Sequence, residues 1–161
     1  MTKKVLLLAN NDVGLYNFRR ELLEQLIGQG YKVYISLPYG DKVEPLKSLG
    51  CIYINTPIQR RGTNPFTDLK LVINYYRMIR TIKPSIVLTY TIKPNLYGSI
   101  VCLLSYTPYI NNITGLGSGL LGKKKLLTKL LIFMYRIALK KSSMVFFQNK
   151  ADMHFMLHHK M

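Results

Sequence analysis

Apolar, β-branched runs alternate with segments of helical periodicity six times along this chain, and few architectures accommodate that order. Val5–Ala9 is a first candidate strand. Leu15, Phe18, Leu22, Leu23, Leu26 and Ile27 follow at helical spacing, and the pattern stops at Gly28 and Gly30. Tyr31–Leu37 reads as a second strand, closed by Pro38. A short helix over 41–49 ends at Gly50, and Cys51–Asn55 is a third strand. A polar loop from Pro57 to Pro65 leads to a helix over 66–82. Ser85–Thr89 is a fourth strand, Asn95–Ser105 a helix and Pro108–Ile113 a fifth strand. A glycine-rich stretch, 114–122, opens a long helix to about 141. Met144–Phe147 is a sixth strand, and a last helix starts near Lys150. Such alternation predicts an α/β fold, a doubly wound parallel sheet with helices on both faces.

The chain's 161 residues suit one domain with a real core, and a hydrophobic share of 48% excludes a disordered chain. The two cysteines, Cys51 and Cys102, stand far apart and suggest no disulfide framework, which fits a reduced, cytoplasmic setting. The apolar run at the start is too short for a secretory segment and reads as a buried strand. The net charge of +16 is unevenly spread. Residues 1–68 carry nine basic and six acidic side chains, whereas residues 69–161 carry fourteen basic side chains and one acidic, Asp152. That asymmetry points to an anionic partner: nucleic acid, acidic lipid or a phosphorylated substrate.

Two stretches follow strands and precede helices: Thr89-Tyr-Thr-Ile-Lys-Pro-Asn-Leu-Tyr-Gly98 and Ile110-Asn-Asn-Ile-Thr-Gly-Leu-Gly-Ser-Gly119. A doubly wound sheet opens its ligand crevice at the carboxyl ends of its strands. Their Asn, Thr, Tyr, Lys and Gly suit a polyhydroxylated or phosphorylated ligand. The loop after the first strand, Asn10-Asn-Asp-Val-Gly-Leu-Tyr-Asn-Phe-Arg19, reads either as a phosphate-holding turn or as an Asn/Asp helix cap. It lacks G-x-G-x-x-G, which disfavours a dinucleotide. The helix over 123–141 gathers Lys125, Lys129, Arg136 and Lys140 within a sector of about 60°, with Lys123 and Lys124 at its start. It is either a membrane-surface helix or a core-packing helix with a solvated basic face. It is too interrupted by charge to span a bilayer. His154, His158 and His159 have no flanking Glu or Cys, so no metal site is expected. Charge gathered on one helix, with tyrosines spread elsewhere, disfavours nucleic acid.

Asn17-Phe-Arg19, Arg61-Gly-Thr-Asn-Pro65, Lys83-Pro84, Thr89 to Asn95 with Tyr97-Gly98, Asn111-Asn-Ile-Thr-Gly-Leu-Gly117 and Val145-Phe-Phe-Gln-Asn149 occur in order, nearly all at strand ends. Together they resemble the N-terminal domain of family 4 glycosyltransferases, retaining enzymes of the GT-B fold. Among these they are most similar to the bacterial subgroup that extends lipid-linked sugars for capsule, O-antigen and exopolysaccharide synthesis. The resemblance covers nearly the whole chain and implies a Rossmann-like half of a GT-B fold over residues 1–161, the acceptor-side domain. The nucleotide-sugar would be held in a C-terminal domain by an E-x7-E element, and this chain has no Glu beyond Glu44. No cofactor is therefore expected in this chain. Its close, His158-His-Lys-Met161, reads as a longer protein cut after its first domain.

The implied acceptor is a polyprenyl-diphosphate-linked sugar. The residues implied to meet it are Asn11, Tyr16 and Asn17 from the first loop and helix, Arg60 and Arg61, then Thr91, Lys93 and Asn95, and finally Asn112, Thr114 and Gly115. Thr114 stands where many relatives carry a histidine that contacts the transferred sugar, which makes it the one catalytic candidate. Lys123, Lys124, Lys125, Lys129, Arg136 and Lys140 are the expected membrane-contact residues, on the inner face of the cell membrane. The alternative expectation is a non-catalytic, membrane-associated subunit that recruits a separate donor-domain partner.

Overall fold

A computed structural model describes residues 3–59, 62, 64–116 and 125–161. Six strands, β1 (Lys4–Leu8), β2 (Lys32–Leu37), β3 (Ile52–Asn55), β4 (Ile86–Tyr90), β5 (Tyr109–Ile113) and β6 (Met144–Phe147), form one sheet in the order β3-β2-β1-β4-β5-β6. Every pairing is parallel. The chain runs outward from β1 through β2 to β3, then returns to place β4 on the other side of β1. Direction reverses there, so a crevice opens between the carboxyl ends of β1 and β4.

Helices α1 (Asp12–Gly28), α2 (Val43–Ser48), α3 (Pro65–Ile82), α4 (Ser99–Leu104), α5 (Lys125–Leu139) and α6 (Lys150–His158) connect or follow the strands. A strand buried on both faces reads as a continuous apolar run, and β1 shows it. Val5, Leu7 and Ala9 pack with Leu15 and Leu23 of α1 and with Val43 and Leu46 of α2. Leu6 and Leu8 pack on the other side with Leu71, Tyr75 and Ile79 of α3 and Val101 of α4. Leu6, Leu7 and Leu8 are fully buried, each contributing about 2 kcal/mol of transfer free energy. A third cluster joins Leu96, Ile113, Leu116, Tyr135, Ala138 and Met156. Tyr109 ties β5 to α5 by donating to the Ala138 carbonyl at 2.8 Å.

The strands lie within a residue or so of their expected positions. Two local features differ from the reading of periodicity. The helix expected over Asn95–Ser105 opens with a π-helical turn over Pro94–Gly98 before α4. That wide turn brings the backbone at Gly98 against β1 and β4. A Cβ there would stand 2.6 Å from Leu8 Cδ1 and 3.3 Å from Thr89 Cγ2, so only glycine fits without displacement. Phe18, which follows the apolar spacing of α1, is not in the core but 71% exposed, at the crevice.

Candidate functional site

Four strand ends converge on a cleft of about 310 Å³ at the reversal point. The turn after β1 brings Asn10 and Asn11, and α1 brings Phe18 and Arg19. Tyr90 and Thr91 come from the end of β4, Thr114 from the end of β5 and Gln148 from the end of β6. Asn11 is the N-cap of α1: its side-chain oxygen accepts from the Gly14 N–H at 2.6 Å, and its amide donates to Asn10 Oδ1 at 2.9 Å. The helix-cap reading of that loop is therefore what the structure contains, with Asn11 at the cleft edge as well. Just outside, buried Asp12 accepts from the Lys42 N–H at 2.6 Å, and Gly40 leaves room for its carboxylate.

Thr91 has φ 70°, a left-handed backbone that a β-branched residue adopts at a cost of about 1–3 kcal/mol. Its hydroxyl donates to the Tyr90 carbonyl. On the far lip Gly115 turns the chain with φ 125°, a conformation suited to glycine. Tyr90 is buried, which pushes its phenol up from its ordinary value, while the charge and hydrogen bond of Arg19 pull the other way. Arg19 lies over the Tyr90 ring, its guanidinium carbon 5.2 Å from the ring centre. Among the described residues lining the cleft there is no carboxylate, imidazole or amine. The arrangement offers neutral hydrogen bonds and one cation, which is equipment for binding and orienting.

The expected site residues do not all meet at one place. Asn11, Thr91 and Thr114 meet in the cleft. Tyr16 and Asn17 belong to an outer face of α1, where Tyr16 lies beneath Arg20 and Lys42. Lys93 is held at 2.5 Å by Asp68, whose other oxygen accepts from the Tyr97 hydroxyl at 2.8 Å. Asn95 is 1% exposed and lies inside the protein. Its Oδ1 accepts from Thr89 Oγ1 at 2.6 Å and from Asn111 Nδ2 at 3.1 Å, and its Nδ2 donates to the Asn112 carbonyl at 2.9 Å. Asn111 Nδ2 also donates to Ser99 Oγ at 2.6 Å and Thr89 Oγ1 at 2.9 Å. This lock fastens β4, the π turn and β5 directly behind the cleft. Asn112 lends it a backbone carbonyl, and its own amide reaches the Thr89 carbonyl at 3.4 Å. Arg60, Arg61, Lys123 and Lys124 lie outside the described residues, as does the Lys125 side chain.

Phe18, Arg19, Tyr90 and Gln148 also line the cleft; they lie in the stretches singled out above but were not among the individual residues expected to meet the acceptor. Two signals pointed to them. Arg19 falls on the helical face begun by Asn11 and Leu15, and Gln148 directly follows a strand, on the edge where parallel sheets bind. On α5 the expected basic residues Lys129, Arg136 and Lys140 are exposed, beside an equally exposed apolar stripe of Leu126, Leu130 and Phe133. Arg136 is also engaged, donating through Nη2 at 2.7 Å and Nε at 3.0 Å to the His159 carbonyl at the end of α6. Among the described residues no helix is long and apolar enough to cross a membrane.

Solved structures that share this fold include GT-B, Rossmann-like proteins. A crystal structure of UDP-N-acetylglucosamine 2-epimerase superposes with a TM-score of 0.69 at 14% identity, covering 100% of this chain and 46% of that one. MurG of Acinetobacter baumannii superposes with a TM-score of 0.61 at 18% identity, covering 89% of this chain and 40% of that one. At those identities the likeness concerns the fold, a Rossmann-like half of a GT-B protein. In sequence, the chain is 24% identical over 153 residues to N,N'-diacetylbacillosaminyl-diphospho-undecaprenol alpha-1,3-N-acetylgalactosaminyltransferase of Campylobacter jejuni subsp. jejuni serotype O:2. That match takes in 92% of this chain and 41% of the transferase, so the chain spans well under half of the relative's length. The family described as "Glycosyl transferase 4-like" matches residues 4–149, through β1, the cleft and β6, and the chain belongs to that family.

Proposed function

We propose that this chain is the N-terminal, acceptor-side domain of a retaining glycosyltransferase. The reaction would move a hexose or N-acetylhexosamine from a nucleotide-sugar to a polyprenyl-diphosphate-linked glycan in cell-surface polysaccharide synthesis. The observation that carries the reading is the cleft at the β1/β4 reversal. Its hydroxyls and amides match sugar hydroxyls, and its one guanidinium matches phosphate. The name of the Campylobacter relative, which describes a lipid-linked sugar acceptor, supports the same substrate class. The nucleotide-sugar would be held by a C-terminal domain facing this wall.

Helix α5 supports contact with the inner face of the membrane. Leu126, Leu130 and Phe133 offer apolar insertion, with Lys129, Arg136 and Lys140 alongside. Each basic residue adds about 1 kcal/mol near an anionic surface, enough for a few of them to give reversible binding. A second reading, a non-catalytic subunit that recruits a donor-domain partner, draws on the absence of an acid or base among the described cleft residues.

Turnover of a UDP-sugar with an undecaprenyl-diphosphate-linked acceptor tests the reading, using the chain alone and with a separately supplied donor domain. Transfer is expected only in the second case. Full activity of the chain alone would sink the half-enzyme assignment. No transfer in either case, with the chain still pelleting with anionic vesicles, would favour the binding subunit.

A further inference from the structure

Two adjacent arginines on α1 are treated differently. Arg20 is exposed and pairs with Glu24 at 2.7 Å. Arg19 is half-buried in the cleft, and none of the three ion pairs among the described residues includes it. Its Nη1 donates to the Phe18 carbonyl at 2.8 Å, and its guanidinium carbon lies 5.2 Å from the centre of the Tyr90 ring. A guanidinium has five N–H donors, so most of the fork is left for a ligand. Removing a cation partly from water without a carboxylate is unfavourable. The penalty is offset once a ligand brings the negative charge. Opposite stand the side chains of Thr91, Thr114 and Gln148, all neutral, and no acidic side chain among the described lining residues would repel an anion.

We propose that Arg19 anchors a phosphate or diphosphate ester in this cleft, with Thr91, Thr114 and Gln148 completing its recognition. The proposal deepens the glycosyltransferase reading and rests on it for the choice of ligand class. The anion has two possible sources, the diphosphate of a nucleotide-sugar and that of an isoprenyl-linked acceptor.

The test is isothermal titration of the 161-residue chain with UDP, farnesyl diphosphate and inorganic pyrophosphate. At least one is expected to bind, and Arg19→Gln is expected to weaken it tenfold or more. Arg19→Lys keeps the charge but loses the fork, so it should recover only part of the affinity. Lys32→Gln, at the amino end of β2 and far from the cleft, should bind as the parent does. Thermal melts of each variant separate loss of the site from loss of the fold, and Arg19→Lys serves if Arg19→Gln melts early. Tighter UDP binding identifies the donor as the source, and tighter farnesyl diphosphate the acceptor. Equal affinity for all three assigns recognition to the diphosphate itself. A parent that binds none of them, or a folded Arg19→Gln that binds all three within twofold of the parent, overturns the proposal. Arg19-dependent binding without sugar transfer by the two-domain assembly would reject the functional reading and leave the anchor standing. Transfer that survives Arg19→Gln with unchanged KM for both substrates would do the reverse.

Discussion

The polar lock and the cleft lie side by side at the carboxyl ends of β4 and β5, are built from the same residue types, and behave oppositely. In the lock, Thr89, Asn95, Ser99 and Asn111 are at most 1% exposed and spend their hydrogen bonds on one another. Within it only Asn111 Oδ1 has no partner among the described residues. In the cleft, Thr91, Thr114 and Gln148 line open space beside Arg19, which has no carboxylate partner among the described residues. One cluster is closed on itself and holds the wall together. The other opens on the cleft, where we propose that a ligand completes it. Along β4 the two roles are separated by two residues, Thr89 inward and Thr91 outward past a left-handed turn.

Asn111→Leu is the strongest way to challenge that contrast. It strips Ser99 and Thr89 of a buried donor and is expected to cost about 3 kcal/mol, measured by urea unfolding. A loss under 1 kcal/mol would mean that the lock does not hold the wall. Gly98→Ala drives a methyl group into Leu8 and Thr89 from behind the same wall, for an expected loss of about 2 kcal/mol on the same measurement. The closed side should also respond to alkali. Burial pushes the Cys102 thiol of α4 up to about 12 and the Cys51 thiol to about 11. The unfolded chain releases these protons near the ordinary value of 9.0, while the folded chain retains them. Stability is therefore fully present below pH 9 and falls as pH rises toward 11–12, by up to about 1.4 kcal/mol per pH unit for Cys102. Urea midpoints from pH 8 to 11 check it, and Cys102→Ala should flatten the slope. The smallest stability effect belongs to the open side. Thr114→Val should shift stability by less than about 0.5 kcal/mol. The same change should weaken diphosphate binding severalfold in the titration described for Arg19. Equal, large stability losses at Thr114 and Asn111 would erase the distinction.

The sheet was legible because parallel strands buried on both faces read as apolar runs, and each helix that follows has its own period. The cleft was legible in half. Thr91, Thr114 and Asn11 could be placed from the rule that strand ends carry ligands. Asn95 could not, because its environment is set by Asn111 on β5 and Thr89 on β4, a pairing visible only once the strands are adjacent. The same holds for Lys93, whose partner Asp68 lies on α3. Phe18 was misread for a related reason. Periodicity shows that a helix has an apolar stripe, but how far that stripe turns toward the crevice depends on how the helix docks.

The strand order has a consequence for how this chain reaches its fold. β1 is synthesised before the other five strands yet ends inside the sheet, between β2 and β4. Its pairing with β2 uses neighbours close in sequence, Val5 with Val33, whereas its other edge waits for Ile86. Roughly 80 residues must emerge before that edge is covered, which makes the pairing non-local and slow. During that interval Val5–Ala9 is a β-prone, uncharged segment with one backbone edge free to pair with another chain. Expression yield should therefore depend on how quickly β4 follows β1, and pausing of synthesis between α3 and β4 is the step at which this chain is most open to aggregation and chaperone capture.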